Sequence, residues 1–369
     1  MSRDSRDKMK TAVTKYLTAC LFASVAMPAG ADPLTEHESL FFTGDTRETA
    51  TAQLLRIPHE PPRIESSAQD VTYEAGRDYV WQAGSRAVTL TADSRIPFKT
   101  TAELYPPANS PQSYRKRREG EAWMFYGPGR VMHDAQCAAS YASDDDWRAP
   151  AVEAAPDAQL GKLRERLKAK EALKLVMLGD SISTEADASA LSKAAPNQPG
   201  YPTLVVQGIE ARFGAKVTLV NISKGGMDTA WGVTRVADAI AEKPDIFLVA
   251  FGMNDASGRR TTEAFSDLTK QIFVPVRAAL PDCAVILISP MTANSEWLHA
   301  APETYPQYAA ALGKLTGPGV AFADVTTTWI AISERKKHMD ISGNGLNHPN
   351  DYGHRIYADV ILKTVGSGH

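Results

Sequence analysis

The sequence contains a serine and a histidine in contexts that suit nucleophilic catalysis. Ser181 ends the run Leu175-Val-Met-Leu-Gly-Asp-Ser181, where we expect a buried strand to turn into a helix. Backbone N–H groups at the start of a helix can face the charge that forms on a substrate. A serine hydroxyl is a poor nucleophile unless a base lies within hydrogen-bond reach. His348 is the best placed of the eight histidines to be that base, because it directly precedes Pro349 and a final helix with one apolar side.

Two further polar clusters supply donors for the oxyanion of such a reaction. Asn221-Ile-Ser-Lys-Gly-Gly226 follows a second apolar run, and Gly252-Met-Asn-Asp255 follows a third. Because ligands of a parallel sheet bind outside the carboxyl ends of its strands, we expect these clusters to lie close to Ser181. The Ser181 N–H, the Gly226 N–H and the Asn254 side-chain amide would then bind the oxyanion, each donor being worth about 10²–10³ in rate. Gly226 suits this role because no Cβ keeps a substrate away from its backbone.

The second half of the chain has the pattern of a parallel sheet covered by helices. Five short, nearly continuous apolar runs alternate with segments long enough for crossover helices, such as 229–242 and 262–280. Continuous rather than alternating apolarity is typical of strands that are covered on both faces, so we expect an α/β fold. The predicted strands are Leu173–Leu178, Val217–Val220, Ile246–Phe251, Ala284–Ile288 and Val320–Ala323.

The chain is expected to divide near residue 155. Residues 32–155 contain alternating or aromatic-rich runs that are broken by turn residues, which predicts a smaller β-rich, β-sandwich-like domain. Residues 150–156 look like a linker. Leu160, Leu163 and Leu167 then mark one face of a charged helix that leads into a catalytic domain over residues 156–369.

Residues 1–31 have the features of a secretory signal peptide. Basic residues precede a short apolar stretch, 16–27, and Ala29-Gly30-Ala31 gives the small-x-small pattern of a cleavage site. The stretch is too short for a membrane span, so we expect a secreted or periplasmic protein with no transmembrane segment in the mature chain. The segment Leu17-Thr-Ala-Cys20 also resembles a lipoprotein acylation box, but most of the apolar core follows the cysteine rather than preceding it. Cys137 and Cys283 would remain in the mature chain, either as a disulfide or as two buried thiols.

Composition and motifs exclude several other classes of function. The chain has 369 residues, 43% of them hydrophobic and 22% charged, which is a globular profile. Its formal net charge of −3 argues against a nucleic-acid partner. There is no phosphate-binding Gly-x4-Gly-Lys-Ser/Thr loop and no zinc-type Cys/His cluster, and Gly179-Asp-Ser-Ile-Ser183 lacks the second glycine of a G-x-S-x-G elbow. We therefore expect neither a metal nor a cofactor.

The four polar clusters, in this order, resemble the conserved blocks of the SGNH, or GDSL, hydrolase family. The match covers roughly residues 174–365. The resemblance implies a flavodoxin-like three-layer α/β/α sheet and a metal-free serine esterase. It also implies Ser181 as the nucleophile, Gly226 and Asn254 as oxyanion donors and His348 as the base. The β-rich module is similar to modules that precede this domain in some bacterial secreted members, which are often associated with deacetylating carbohydrates.

One departure from the family pattern concerns the acid that orients the histidine. The family commonly has an aspartate three residues before the catalytic histidine, and that position is Gly345 here. Some members work with a Ser–His dyad that is helped by a backbone carbonyl or an amide. The third member is therefore left open between Asp340, Asn344 and a backbone carbonyl. His354, two turns along the final helix, is expected at the surface or behind the site.

These observations predict a secreted serine esterase that forms an acyl-enzyme. We expect its substrate to be an O-acetylated carbohydrate, on the strength of the leader and the β-rich module. One alternative is a lipase-like or thioesterase activity on longer acyl chains. Another is a glycan-binding protein with an inert hydrolase fold, although the four intact positions argue against it.

Overall fold

Short antiparallel strands dominate the first part of the chain, up to Ser140. The computed structural model of the protein describes residues 34–115 and 122–367. In this first part the strands are β1 (Glu38–Leu40), β2 (Thr51–Gln53), β3 (Arg63–Ser66), β4 (Thr72–Tyr73), β5 (Tyr79–Trp81), β6 (Ala87–Leu90), β7 (Ser113–Arg115), β8 (Trp123–Phe125) and β9 (Cys137–Ser140). Two one-turn helices, α1 (Thr101–Leu104) and α2 (Arg130–His133), accompany them.

The strands of this β-rich region form three sheets, two of which share a core. One sheet has the order β1-β9-β3-β4, a second has the order β2-β6-β5, and β7 and β8 form a hairpin. Leu40 and Ile64 from the first sheet pack in one buried apolar cluster with Val88 and Leu90 from the second. Apolar side chains that alternate towards a shared interior are the defining feature of a sandwich, so the predicted β-rich architecture is confirmed.

A five-stranded parallel sheet lies at the centre of the second part of the chain. Its strands are β10 (Leu173–Gly179), β11 (Val217–Asn221), β12 (Ile246–Ala250), β13 (Ala284–Ile288) and β14 (Val320–Ala323). They lie in the order β11-β10-β12-β13-β14, which is the flavodoxin-like order. Every residue of β12 and β13 is buried, because helices cover both faces of these continuous apolar runs. The predicted α/β fold is confirmed, with strand bounds that differ from the expected ones by at most one residue.

The helices around this sheet agree with the predicted crossovers, with one exception. They are α3 (Asp157–Lys168), α4 (Tyr201–Phe213), α5 (Thr229–Val233), α6 (Val236–Ala241), α7 (Met253–Ser257), α8 (Thr262–Ala279), α9 (Thr304–Gly313), α10 (Val325–Ser333), α11 (His338–Ile341) and α12 (Asp351–Val365). The exception is the segment 229–242, which forms two helices rather than one. Leu160, Leu163 and Leu167 are the buried face of α3, as their spacing predicts.

Buried contacts join the β-rich region to the α/β region, and the described residues form one compact unit. The Lys336 ammonium lies 2.5 Å from a carboxylate oxygen of Glu38, and neither side chain is exposed. Lys336 also donates to the Gln53 carbonyl oxygen at 2.6 Å, and Glu38 accepts the Leu55 N–H at 2.8 Å. Breaking a buried ion pair by removing one partner typically costs about 3–5 kcal/mol, so this contact fixes one region against the other. The domain boundary near residue 155 stays a prediction.

Both cysteines that follow the predicted leader are described by the structure. Cys137 and Cys283 are both buried free thiols, so the alternative of a disulfide between them is wrong for this structure. Burial raises the pKa of both thiols. The predicted signal peptide and Cys20 lie outside the described residues. No helix in the described ranges is long and apolar enough to cross a bilayer.

Candidate active site

Ser181 lies in a turn directly after β10. Gly179 ends the strand so close to β12 that an added Cβ would lie 2.5 Å from the Ala250 carbonyl oxygen. The Asp180 carboxylate accepts the Ile182 N–H at 2.9 Å, which fixes the backbone on both sides of the serine.

The prediction that a helix begins at Ser181 is wrong. The segment from Ser181 to Asp187 consists of hydrogen-bonded turns, in which the Ala186 N–H donates to the Ser181 carbonyl oxygen at 3.1 Å. Glu185 and Asp187 have φ angles of 66° and 63°, which a right-handed helix cannot contain. The turns fold the chain back on itself, so that Asp187 is brought near Ser181.

His348 lies within hydrogen-bond reach of the serine. The distance from Ser181 Oγ to His348 Nε2 is 2.9 Å. The loop that carries the histidine is held from inside by Asn344, whose side-chain oxygen accepts the N–H groups of Leu346, Asn347 and His348 at 2.8, 3.0 and 3.3 Å. Helix α12 begins at Asp351 and is capped by the Asn350 side chain, so Pro349 precedes the helix rather than opening it. The predicted pair of serine and histidine is therefore brought together.

A carboxylate that sequence reasoning missed completes the arrangement. The His348 Nδ1 lies 2.6 Å from Asp187 Oδ2, with the two side chains 18% and 8% exposed. Ser181 Oγ, the imidazole and the Asp187 carboxylate thus form a continuous line of hydrogen bonds, which is the geometry of a catalytic triad. Asp187 follows Ser181 by only six residues. The signal that could have found it is the presence of two more acidic residues, Glu185 and Asp187, soon after Ser181 in a sequence that has glycine at the usual acid position.

None of the three acceptors expected for the histidine fills this role. Asp340 is fully buried elsewhere, where it accepts the N–H groups of Phe41 and Lys337 at 2.7 and 2.9 Å. Burial raises its pKa, and the charge of Lys336 opposes that rise. Asn344 uses its oxygen to brace the histidine loop, and the His348 Nδ1 has a carboxylate rather than a backbone carbonyl as its partner.

Backbone conformation and a close contact make position 345 unfavourable for the acid. Its φ is +86°, and an added Cβ would lie 3.0 Å from the carbonyl oxygen of Phe125, a residue of β8. Both the backbone conformation and the close contact with the β-rich region therefore disfavour a side chain at this position. A second contact holds the same loop, because the Gly127 N–H donates to the Asn344 carbonyl oxygen at 3.1 Å.

Contacts from both regions position Asp187. Its second oxygen, Oδ1, accepts the backbone N–H of Gly129 at 2.6 Å, so both carboxylate oxygens are occupied. His354 steadies the turn next to it by donating to the Ala186 carbonyl oxygen at 3.1 Å and accepting the Tyr201 N–H at 3.2 Å. Burial lowers the pKa of His354 to about 4, so the ring is neutral. The sequence predicts His354 either at the surface or behind the site. It is buried behind the site, so the prediction of a surface position is wrong.

A hydrogen bond joins the segments of Gly226 and Asn254, the two further residues predicted to donate to an oxyanion. The Asn254 side-chain amide donates one N–H to the Met227 carbonyl oxygen at 2.8 Å, which leaves the other for a ligand. Gly226, the residue before Met227, has a φ of +76° and no atom within 4 Å of the place where a Cβ would stand. An added Cβ on the adjacent Gly225 would lie 3.6 Å from Ser181 Cβ, so this loop passes beside the serine. The loop that contains Gly226 therefore lies next to Ser181, and the Asn254 amide is hydrogen bonded to the next residue of that loop.

Buried acidic side chains support the loops on both sides of the site. Burial raises the pKa of Asp180 to about 7, and hydrogen bonding to Ile182 and the charge of His348 oppose the rise. Burial also raises the pKa of Asp255, whose carboxylate accepts the Thr229 hydroxyl at 2.5 Å. Among the described residues, no group of three His, Cys, Asp or Glu side chains is arranged to hold a metal ion.

Comparison with known families gives one match within the α/β region. Residues 177–356 match the model of the GDSL-like Lipase/Acylhydrolase family, as the motifs predicted. No curated protein matches the chain.

Several solved structures are similar to parts of the chain. One is a two-domain esterase (CEX) active on acetylated mannans, 25% identical, with a TM-score of 0.46 over 58% of this chain and 55% of that one. Another is a catalytic mutant of Axe2, an acetylxylan esterase from Geobacillus stearothermophilus, 19% identical, with a TM-score of 0.44 over 53% of this chain and 94% of that one. A third is LAE5, an alpha/beta hydrolase enzyme from the metagenome of Lake Arreo, 20% identical, with a TM-score of 0.43 over 53% and 95%. The chain thus matches about half the length of the mannan esterase.

Proposed function

We propose that the protein is a secreted serine esterase that hydrolyses a carboxylic ester through an acyl-enzyme. The observation that carries this proposal is the line of hydrogen bonds from Ser181 Oγ through His348 to Asp187, with distances of 2.9 and 2.6 Å. In this proposal Ser181 is the nucleophile, His348 is the general base and acid, and Asp187 orients the imidazole and stabilises its charged form.

The first half of the reaction transfers the acyl group to the enzyme. His348 Nε2 accepts the hydroxyl proton as Ser181 Oγ attacks the carbonyl carbon, and the carbonyl oxygen becomes an oxyanion. The Ser181 N–H, the Gly226 N–H and the Asn254 amide donate hydrogen bonds to that oxyanion. The bond between the carbonyl carbon and the alcohol oxygen then breaks, and the alcohol leaves with the proton from His348.

The second half regenerates the serine. A water molecule gives a proton to His348 Nε2 as its oxygen attacks the acyl carbon, and the same donors bind the second oxyanion. The bond to Ser181 Oγ breaks, the serine regains its proton from His348, and the carboxylic acid leaves. Asp187 keeps its negative charge throughout, because its role is to hold the Nδ1 proton between the two groups.

The substrate that we propose is an O-acetylated carbohydrate. Two features support this proposal. One is the predicted export signal in residues 1–31, and the other is the β-rich region, predicted to be a domain over residues 32–155, which contacts the loops of the site through Gly127 and Gly129. Export would bring the enzyme to extracellular or periplasmic polysaccharides.

Acetate release from acetylated polysaccharides tests this function, together with hydrolysis of 4-nitrophenyl esters of graded acyl length. We expect turnover of acetyl esters, a fall in rate with longer chains, and an acetyl adduct on Ser181 in the mass spectrum of enzyme quenched during turnover. Ser181→Ala should abolish hydrolysis while the protein keeps its melting temperature. Turnover by this variant at the unmodified rate would show that Ser181 is not the nucleophile, and a preference for long chains would overturn the acetyl substrate.

A further inference from the structure

Four aromatic rings lie together beside the loop that carries His348. Tyr114 is at the centre of this group, with ring centroids 6.1 Å from Tyr126, 6.2 Å from Trp297 and 6.3 Å from His299, all in edge-to-face arrangements. Trp297 and His299 also touch, with centroids 5.3 Å apart. We call these four residues the aromatic cluster. Tyr114 lies in β7 and Tyr126 directly follows β8, whereas Trp297 and His299 lie in the segment after β13.

Both segments of the aromatic cluster are hydrogen bonded to the catalytic loop. On one side, Tyr126 is followed by Gly127, whose N–H donates to the Asn344 carbonyl oxygen at 3.1 Å. On the other side, the Asn294 amide donates to the Gly345 carbonyl oxygen at 3.0 Å, and the Asn294 N–H donates to the Leu346 carbonyl oxygen at 2.7 Å. The cluster therefore borders the loop that presents His348, and its position is fixed relative to that loop.

The cluster also borders the proposed catalytic acid. Two residues beyond Gly127, the Gly129 N–H donates to Asp187. Burial raises the pKa of the Tyr126 phenol, and the negative charge of Asp187 adds to that rise. A ligand that binds the aromatic cluster would therefore be continuous with the ester that reacts at Ser181. It would not occupy a separate part of the molecule.

Exposure and unfilled polar groups distinguish this cluster from ordinary core packing. Tyr114 is 38% exposed and is the one aromatic among the large hydrophobic residues exposed to this degree in the described ranges. The hydroxyl groups of Tyr114 and Tyr126 and the ring nitrogens of His299 form no hydrogen bond with another described residue. Trp297 is 8% exposed, and its indole N–H is buried without a partner among those residues.

We propose that the aromatic cluster is a sugar-binding subsite in which the Tyr114 ring stacks on a pyranose ring of the substrate whose acetyl ester reaches Ser181. This inference rests on the proposed function, and it adds the residue that would make the enzyme prefer acetylated oligosaccharides over simple acetyl esters. A pyranose ring presents C–H groups on its faces and hydroxyls around its edge. An exposed aromatic ring matches the faces of the sugar, and the half-buried Tyr126 hydroxyl and His299 ring nitrogens beside it match the hydroxyls at the edge.

The test compares two substrates in four proteins. The substrates are acetylated xylo- and mannooligosaccharides, assayed by acetate release, and 4-nitrophenyl acetate, which has no sugar. The proteins are the unmodified enzyme, Tyr114→Ala, Tyr114→Phe and, as a matched control, Val80→Ala, which truncates another exposed apolar side chain of the β-rich region, 48% exposed.

For Tyr114→Ala we expect kcat/KM on the oligosaccharides to fall about tenfold, mainly through KM, with 4-nitrophenyl acetate unaffected. Tyr114→Phe and Val80→Ala should behave as the unmodified enzyme, because the stacking face is kept in one and the subsite is untouched in the other. Equal kinetics for Tyr114→Ala and the unmodified enzyme on the oligosaccharides, or an equal loss on both substrates, would overturn the subsite. If the unmodified enzyme cleaves 4-nitrophenyl acetate but releases no acetate from the oligosaccharides, the proposed substrate fails, and the subsite with it.

Discussion

The backbone N–H of Gly129 donates a 2.6 Å hydrogen bond to Oδ1 of Asp187, while Oδ2 of the same carboxylate lies 2.6 Å from the Nδ1 of His348. Gly129 belongs to the β-rich region and Asp187 to the α/β region. The two regions therefore meet at the proposed catalytic acid. A carboxylate that is held at both oxygens has little freedom to rotate, and this preorganisation keeps the imidazole aligned with Ser181. The β-rich region thus forms part of the proposed catalytic centre.

Substituting Gly129 tests this coupling. Its φ of 62° and ψ of −131° are favourable for glycine alone, so Gly129→Ala should shift the peptide and lengthen the bond to Asp187. We expect kcat to fall about tenfold with KM unchanged, since the contact acts on the chemical step rather than on binding. The control is Gly76→Ala, in the same region, with a φ of +85° and no atom within 4 Å of the added Cβ.

The same substitution in an Asp187→Asn background separates a positioning role from general damage to the fold. If Gly129 acts through the carboxylate, Gly129→Ala should cause little further loss of kcat once the carboxylate is gone. A loss of equal size in both backgrounds would show that the effect of Gly129 does not pass through Asp187.

Asp187→Asn alone should lower kcat strongly. An amide at this position cannot stabilise the imidazolium, and it can donate to Nδ1 and so favour the tautomer that carries its proton on Nε2, facing the serine. We expect a fall in kcat of roughly 10²–10⁴ with a small change in KM, measured with 4-nitrophenyl acetate.

The matched control for Asp187 is Asp340→Asn, which changes the carboxylate that lies closest upstream of the histidine in the sequence. Asp340 accepts the N–H groups of Phe41 and Lys337 and lies 3.8 Å from the Lys336 ammonium. Its loss should lower the melting temperature and leave kcat unchanged. The reverse outcome, a normal kcat for Asp187→Asn and a large loss for Asp340→Asn, would contradict the assignment of the acid.

The sequence predicted the parallel sheet, the β-rich region and the pair Ser181 and His348, because each depends on local pattern. Apolar runs such as Ala284–Ile288 are buried wherever they are placed in such a fold, and the block motifs surround both reacting residues. Asp187 could not be predicted in this way, because its role depends on two left-handed residues in the turn after Ser181 and on a contact from Gly129, 58 residues away in the sequence. The prediction of a helix at Ser181 is wrong for the same reason, because a local sequence pattern does not indicate a turn that is stabilised by distant contacts.

Restoring the usual acid position should not restore a triad. Gly345→Asp places a side chain on a residue with a φ of +86° and within 3.0 Å of the Phe125 carbonyl oxygen. We expect a lower melting temperature and, combined with Asp187→Asn, no recovery of kcat. Recovered activity in the double variant would show that a side chain fits at position 345 despite the nearby β8. The steric explanation for the different position of the acid would then be wrong. Gly317→Asp, where an added Cβ meets no atom within 4 Å and φ is not positive, is the control for adding a carboxylate.

Asp180 should make the stability of the protein depend on pH. Burial raises its pKa from 3.8 to about 7, so the folded state binds a proton that the unfolded chain has already lost in this range. The folded state is therefore favoured by the protonated carboxyl below about pH 4, and that stabilisation is lost as the pH rises through about 7.

Asp180→Asn keeps an oxygen for the Ile182 N–H and removes the titration. We expect the free energy of unfolding in urea to fall more for the unmodified protein than for this variant between pH 4 and 7. Parallel curves for the two proteins would mean that burial does not hold the proton of the Asp180 carboxyl in this range.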